Sequence, residues 1–342
     1  MKFPQPIAAA RLYRGPLILL ACIILLPLCA RGSYSYLLSL AQLCGIYAII
    51  VIGLTLLMGF TGQVSLGHAG FYAVGAYAAA VAATKFNAPL WLAIIIGLLA
   101  GALLALIAGF SILRLKGHYL ALATLCLGII ITALINKMEL TGGAAGLENV
   151  PAWSVFGLLS HPEHGPLAKV YFIWFFVLLV VLWAVHLTES PVGRALKAIH
   201  GDEDAALSLG VNVFAMKLKV FILSGVLAAL AGVLYAFVYV DSVLTPEEFN
   251  LMFSVQLVIM VVIGGLGSVW GGLAGAVVLT GLHEVINLVG ERFGSTDMAK
   301  YEQLIFGLIL VCIIIFSRDG LIPGLKRGVT RVVGARRRAP IA

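Results

Sequence analysis

Few residues in this chain combine the types and spacing that chemistry needs. His283, Glu284 and Asn287 stand three and four positions apart on one helical face. Such a set could relay protons through a membrane. Its place near the expected outer end of an apolar run, where charge costs little, argues against that role. Gln63, Ser65 and His68 fall in or just after a glycine-rich break between two apolar runs. Polar groups there are costly unless they face protein or a wet cavity. His68 therefore reads either as a pathway residue or as a satisfied histidine at a helix start. Gln42 and Gln256 read as interhelical hydrogen-bonding residues. The five cysteines (Cys22, Cys29, Cys44, Cys126, Cys312) lie in or beside apolar runs without CxxC or metal-ligand spacing, so they read as packing residues. No GxxxxGK[ST] run cradles a phosphate, and no G-x-S-x-G, H-E-x-x-H or paired midplane aspartates appear. The chain itself neither binds ATP nor carries an intramembrane hydrolase site by these signatures.

The elements that position these residues are set by composition. Of 342 residues, 62% are hydrophobic and 11% charged, against about 25% charged in soluble domains. A bilayer accommodates this surface as apolar helices, because backbone groups in lipid must pair internally. A β-barrel would alternate apolar and polar residues, and the runs at 92–113 and 172–185 do not. The net charge of +7 sits on basic residues flanking apolar runs, with no aromatic-interleaved patch for nucleic acid.

The chain is expected to be an all-α, polytopic transmembrane bundle of about ten helices. Crossings are expected near 17–30, 36–58, 66–83, 89–113, 119–135, 169–186, 220–240, 254–263, 271–288 and 303–316. The run at 17–30 follows Arg11 and Arg14 like a leader, but Arg31 and a long preceding arm favour retention. With the N-terminus in the cytoplasm, sixteen lysines and arginines fall on that side and six on the other, accounting for all 22. The positive-inside rule then places both termini in the cytoplasm. The whole chain, 1–342, reads as one transmembrane unit. It has a cytoplasmic arm at 1–16, a cytoplasmic loop at 189–219 and a basic tail at 318–342.

A repeat interrupts the runs. Gly59-Phe-Thr-Gly62-Gln-Val64-Ser-Leu-Gly67-His-Ala69-Gly70 precedes Gly264-Gly-Leu-Gly267-Ser-Val269-Trp-Gly-Gly272-Leu-Ala274-Gly275 by 205 positions. Four glycines, a valine and an alanine recur in register. Repeated glycine breaks are the best sequence pointer to a transporter's pathway. They make Gly62, Gln63, Ser65, Gly67, His68, Gly264 and Gly267 the pathway candidates. The orientation count puts both breaks on the cytoplasmic side; inverted halves would require one counted segment not to cross. Gly97 and Gly101 have the spacing of helix packing.

The loop at 189–219 reads as a short helix from Arg194, a break at Gly201, a second helix from Asp202 and a stop at Gly210. Asp202 can cap the second helix, while Glu203 and Asp204 suit its positive first turn. It is either a solvated connector or a helix pair that docks into a cytoplasmic partner.

Asp204-Ala205-Ala206, with Gly210 four positions later, resembles the EAA loop of ABC-importer permeases, with Asp replacing the usual Glu. The lead-in from Gly193 to Ile199 is similar to the branched-chain amino-acid and sugar permease family. The first glycine repeat, Leu140-Thr-Gly-Gly-Ala-Ala-Gly-Leu147, and the stretch from Val261 to Gly275 resemble permeases of the LivM type. The likeness covers roughly 36–316. A Pro-Glu pair common in the subgroup's late helix stands here as His283-Glu284, which leaves the role of Glu284 open. The resemblance implies half of a pathway in an inner-membrane importer. A second homologous permease, two ATPases holding ATP and Mg, and a periplasmic binding protein that delivers a branched-chain amino acid would complete it. It also implies that Arg194, Asp204, Ala205, Ala206 and Gly210 meet an ATPase. Small Ala205 and Ala206 would let the helix seat in the ATPase groove. Importers of urea and short-chain amides resemble the same subgroup, so the cargo stays open. An ion-coupled secondary transporter would need midplane acidic residues, and none stands out.

Overall fold

The computed structural model describes residues 35–115, 117–152, 165–240 and 242–292, with 15–17, 19–21 and 307 besides. In chain order the helices are α1 (Ser35–Thr61), α2 (His68–Thr84), α3 (Leu90–Ile112), α4 (His118–Lys137) and α5 (Gly165–Glu189). They continue as α6 (Pro191–Gly201), α7 (Glu203–Ser208), α8 (Val213–Leu234), α9 (Leu251–Gly264) and α10 (Val269–Arg292). Short 3-10 turns at Glu139–Thr141, Gly143–Ala145 and Pro246–Phe249 and a π turn at Tyr235–Tyr239 supplement them. Among the described residues the β pairing is a single antiparallel bridge, Leu147 to Leu244. The all-α expectation holds. The expected crossings at 17–30 and 303–316, the arm and the tail lie outside the described residues but for the few positions named.

Five stretches are long and apolar enough to cross a bilayer: Tyr36–Thr61, Leu90–Ile112, His118–Lys137, Gly165–Glu189 and Val213–Tyr239. Burial sorts them. The windows of the first and last are 83% and 78% buried, whereas those of α3 and α4 are only 22% buried. So α1 and α8 form the centre, and α3 and α4 present Leu99, Leu103, Ile107, Leu122 and Ile130 outward. Such a surface suits lipid rather than water. α2 packs between α8 and α3. Close backbone approach makes that contact: a Cβ on Gly75 would lie 2.4 Å from the Ala229 Cα. Gly97 faces the Gly75 carbonyl and Gly101 faces Ala229, so these two glycines serve helix packing, as their spacing indicated.

The expected crossing at 254–263 is built from more than its helix. α9 has 14 residues, a rise of about 21 Å, against a hydrocarbon core of about 30 Å. It does not cross alone. The preceding Pro246–Phe249 turn enters the bundle with Phe249 only 1% exposed, among the rings of Tyr72, Tyr77 and Tyr235. Irregular backbone at depth is tolerated where protein encloses it.

The two repeats run in the same sense. Tyr47 of α1 lies beside Phe253 of α9, with ring centroids 5.1 Å apart, and Gly59 lies against Leu266. α10 returns antiparallel to α1: Gly272 packs on Thr55, and the Tyr36 hydroxyl donates to the Glu284 carboxylate. Both glycine breaks therefore fall at the same end of the bundle, the end that carries α6 and α7.

Candidate functional site

The first break is deeper than a surface turn. α1 ends at Thr61, and Gly62, with φ +70°, sits beside α6, where a Cβ would lie 3.3 Å from His200 Nδ1. Six non-helical residues then lead to His68, the first residue of α2. His68 Nε2 bonds the Ser224 hydroxyl at 2.7 Å. Ser224 lies eleven residues into α8, about 16 Å along it. The segment thus dips from the α6 end toward the middle of the bundle, and α2 is a discontinuous helix starting at depth.

Hydroxyls hold that start. Ser65 Oγ bonds His68 Nδ1 at 2.9 Å, so both ring nitrogens have partners. The Leu66 amide donates to Thr124 Oγ1 at 3.1 Å, and the Ala69 amide donates to Ser254 Oγ at 3.0 Å. Gly67 lets the segment pass against α4: a Cβ there would lie 2.2 Å from the Thr124 carbonyl oxygen. His68 in this conformation is a fully enclosed, satisfied histidine. Gln63 differs. It is 2% exposed, and neither its amide nitrogen nor its amide oxygen has a partner among the described residues.

In the second break, Gly264 packs against the Gly271 carbonyl, whereas Gly267 is exposed with open space around it. Chain continuity keeps Gly62, Gln63, Ser65, Gly67 and His68 together, Gly264 packs within its own break, and the two repeats meet at the Gly59–Leu266 contact. Gly267 stands at the surface of its turn.

The loop between α5 and α8 folds largely as its residues dictate. Ser190 caps α6 by accepting from the Gly193 amide at 3.3 Å, with Pro191 at the first helical position. The start is thus Pro191, three residues before the expected Arg194. Asp202 caps α7, accepting from the Asp204 and Ala205 amides at 2.9 and 3.0 Å. α7 ends in a Schellman turn: Val211 donates to the Ala206 carbonyl and Gly210, at φ +81°, to that of Leu207. Glu203 pairs with Lys217, tying α7 to α8. Arg194, Asp204 and Ala205 are exposed. Ala206 is not: at 1% exposure it packs with Ile199 and Val213. The expectation that Ala206 belongs to an outward docking face is corrected, because the cap turns it beneath α6. Leu207 and Leu209, 54% and 80% exposed, occupy that face instead. α6 in turn touches the first break, with Lys197 Nζ 5.7 Å above the Phe60 ring.

At the opposite end, an open cavity of about 560 Å³ lies between α1, the end of α8, the Pro246–Phe249 turn, α9 and α10. Tyr47, Tyr235, Tyr239 and Phe253 line it with Glu247 and Glu248. Gln256 and His283 also reach it. Glu284 is 6% exposed and accepts from Tyr36, and Gln42 donates to the Pro166 carbonyl at 3.0 Å. Cys44 is buried, Cys126 is exposed, and both are free; among the described residues no cluster could hold a metal ion. Sequence reasoning missed Thr124, Ser224 and Ser254, because a lone hydroxyl in an apolar helix has the same signature as a packing residue.

The family model for the permease component of branched-chain amino acid transport systems matches residues 36–314. The chain belongs to this family. The permease is 31% identical to the high-affinity branched-chain amino acid transport system permease protein LivM of Salmonella typhimurium, over 86% of this chain and 71% of that one. It is 26% identical to the ribose import permease protein RbsC of Haemophilus influenzae, over 84% and 86% of the two chains. It is 24% identical to the permease protein LivH of Escherichia coli K12, over 78% and 89%. No solved structure matches the permease. It is an ABC-transporter permease and a multi-pass membrane protein.

Proposed function

We propose that this permease is the membrane subunit of an ATP-driven importer that carries branched-chain amino acids across the bacterial inner membrane. A second, LivH-like permease completes the pathway, and a periplasmic binding protein delivers cargo at the cavity end. Two ATPases, holding ATP and Mg, drive the permease pair, and one of them docks on the exposed face of α6 and α7. The basic asymmetry supports a cytoplasmic position for that face and both termini. Cargo identity rests on the likeness to LivM.

One observation carries the mechanism: α6 touches the first glycine break through His200 beside Gly62 and Lys197 over Phe60. A displacement of the loop by its ATPase is passed directly to the segment at which α2 begins. Ser65, Thr124, Ser224 and Ser254 hold that segment by exchangeable hydrogen bonds. Movement can trade such partners without exposing buried backbone to lipid.

The test is to purify the complex through a tag on this chain, identify the co-purifying subunits, and reconstitute them with the binding protein. ATP-dependent uptake of leucine, isoleucine or valine is expected. Uptake of urea or acetamide in their place overturns the cargo. Accumulation by this chain without ATPases overturns the importer reading.

A further inference from the structure

The cavity at the end opposite α6 and α7 has a chemistry that the glycine breaks do not account for. Its walls are aromatic: Tyr235 and Tyr239 stack at 5.3 Å and 21°, and Tyr47 lies against Phe253. The stacked pair belongs to the π turn that ends α8, and π turns recur at functional sites. Glu247 and Glu248 are exposed at the cavity, and among the described residues neither takes part in an ion pair. Among the described residues no lysine or arginine lines the space. The Asn250 side chain accepts from the Phe253 amide at 2.9 Å, which fixes the turn that carries the two carboxylates relative to α9. The volume lies within the roughly 300–1,000 Å³ of small-molecule sites.

We infer that this cavity is a binding site for an organic ammonium group, held by Glu247 and Glu248 against the faces of Tyr47, Tyr235 and Tyr239. Carboxylates attract the charge, and aromatic rings attract an ammonium through their quadrupoles. Leu43, Met252 and Phe253 supply apolar wall beside that charge, so the fitting ligand is an amine with a short alkyl chain. Among the described residues a ligand carboxylate finds no lysine or arginine in the lining, and it points to the opening. On the proposed function, which this assignment deepens, the ammonium is that of the cargo amino acid, received after delivery and before translocation.

The test uses the intact complex without binding protein, probed by saturation-transfer NMR with isopentylamine, leucine and 4-methylpentanoate. The amine and leucine are expected to bind, and 4-methylpentanoate is not. E247Q/E248Q should weaken amine binding by about tenfold or more while leaving the complex assembled. Equal binding of 4-methylpentanoate, or unchanged amine binding by E247Q/E248Q, overturns the site. So does a double variant that loses only its association with the binding protein, because the carboxylates then form a protein-docking rim. Amine binding that depends on the glutamates, in a complex importing only urea or amides, sinks the cargo reading and leaves the ammonium site standing.

Discussion

Gly59 lies so close to Leu266 that a Cβ on the glycine would stand 1.6 Å from the Leu266 carbonyl oxygen. This contact joins the two glycine repeats across the bundle and explains why the first repeat begins with glycine. The obstacle is backbone on both sides, so no side chain can swing away. G59A should therefore cost at least the ~1–3 kcal/mol of an overpacked core. Its thermal midpoint in detergent should fall by several degrees, as measured by tryptophan fluorescence or size-exclusion recovery after heating. G267A is the control, since Gly267 is exposed with nothing within 4 Å. It should stay within about 0.5 kcal/mol of wild type. Equal losses would show that the repeats do not pack through this contact.

S224A removes the partner of His68 Nε2. A buried ring nitrogen left without a partner costs about 1–3 kcal/mol, and the start of α2 loosens with it. Hydrogen–deuterium exchange should rise at 66–72 in S224A and stay unchanged at α3. H68F at the same site removes the need for the bonds altogether, so the double variant H68F/S224A should lose less than the sum of the singles. Additive losses would mean that the two side chains are not coupled.

Much of this arrangement was legible in the sequence, for identifiable reasons. The long apolar runs had to be helices, and Asp202 and Gly210 had to cap α7. The in-register glycines pointed to two equivalent breaks, which the structure places at one end with the same sense. Depth was not legible. Six residues of irregular backbone look alike whether they skirt a surface or dip to Ser224, since only the partner decides. Ala206 looked like a surface alanine because its burial depends on the Schellman turn folding Val211 and Val213 beneath Ile199. The cavity was invisible because Glu247 and Glu248 are 200 residues from Tyr47 in sequence, and a π turn leaves no periodic trace.

Gly210 tests the loop through backbone strain alone. Its φ is +81°, and a Cβ there would meet open space, so a substitution clashes with nothing. A β-branched residue in this region still costs roughly 1–2 kcal/mol. That is enough to shift the end of α7 without unfolding the bundle. G210V should insert and purify normally but lower the ATPase response to loaded binding protein several-fold. Asn tolerates the left-handed region, so G210N should restore most of the response. Failure of G210N to restore the response would assign the defect to something other than conformation.

Leu209 and Ala206 separate docking from loop folding. Leu209 is 80% exposed beside Leu207, an apolar pair that lies outside the crossing segments. Truncating a residue that acts as an interface hot spot costs about 2 kcal/mol or more, and a charge placed there costs further desolvation. L209E should leave the thermal midpoint of the isolated permease within about 1 degree of wild type, consistent with a neutral surface change. In the same preparation, ATPase subunits should co-purify at a fraction of the normal yield. A206E behaves differently, because its carboxylate is forced among Ile199 and Val213. Burying an unpaired charge costs several kcal/mol, so α7 should detach. Protease sites between 201 and 212 should then open even without ATPases present. If L209E assembles normally and A206E fails only when ATPases are added, the inward placement of Ala206 is wrong and the outer face of α7 is a connector. If L209E blocks assembly while the loop stays protease-resistant, the leucine pair is the part of this permease that its energy source grips.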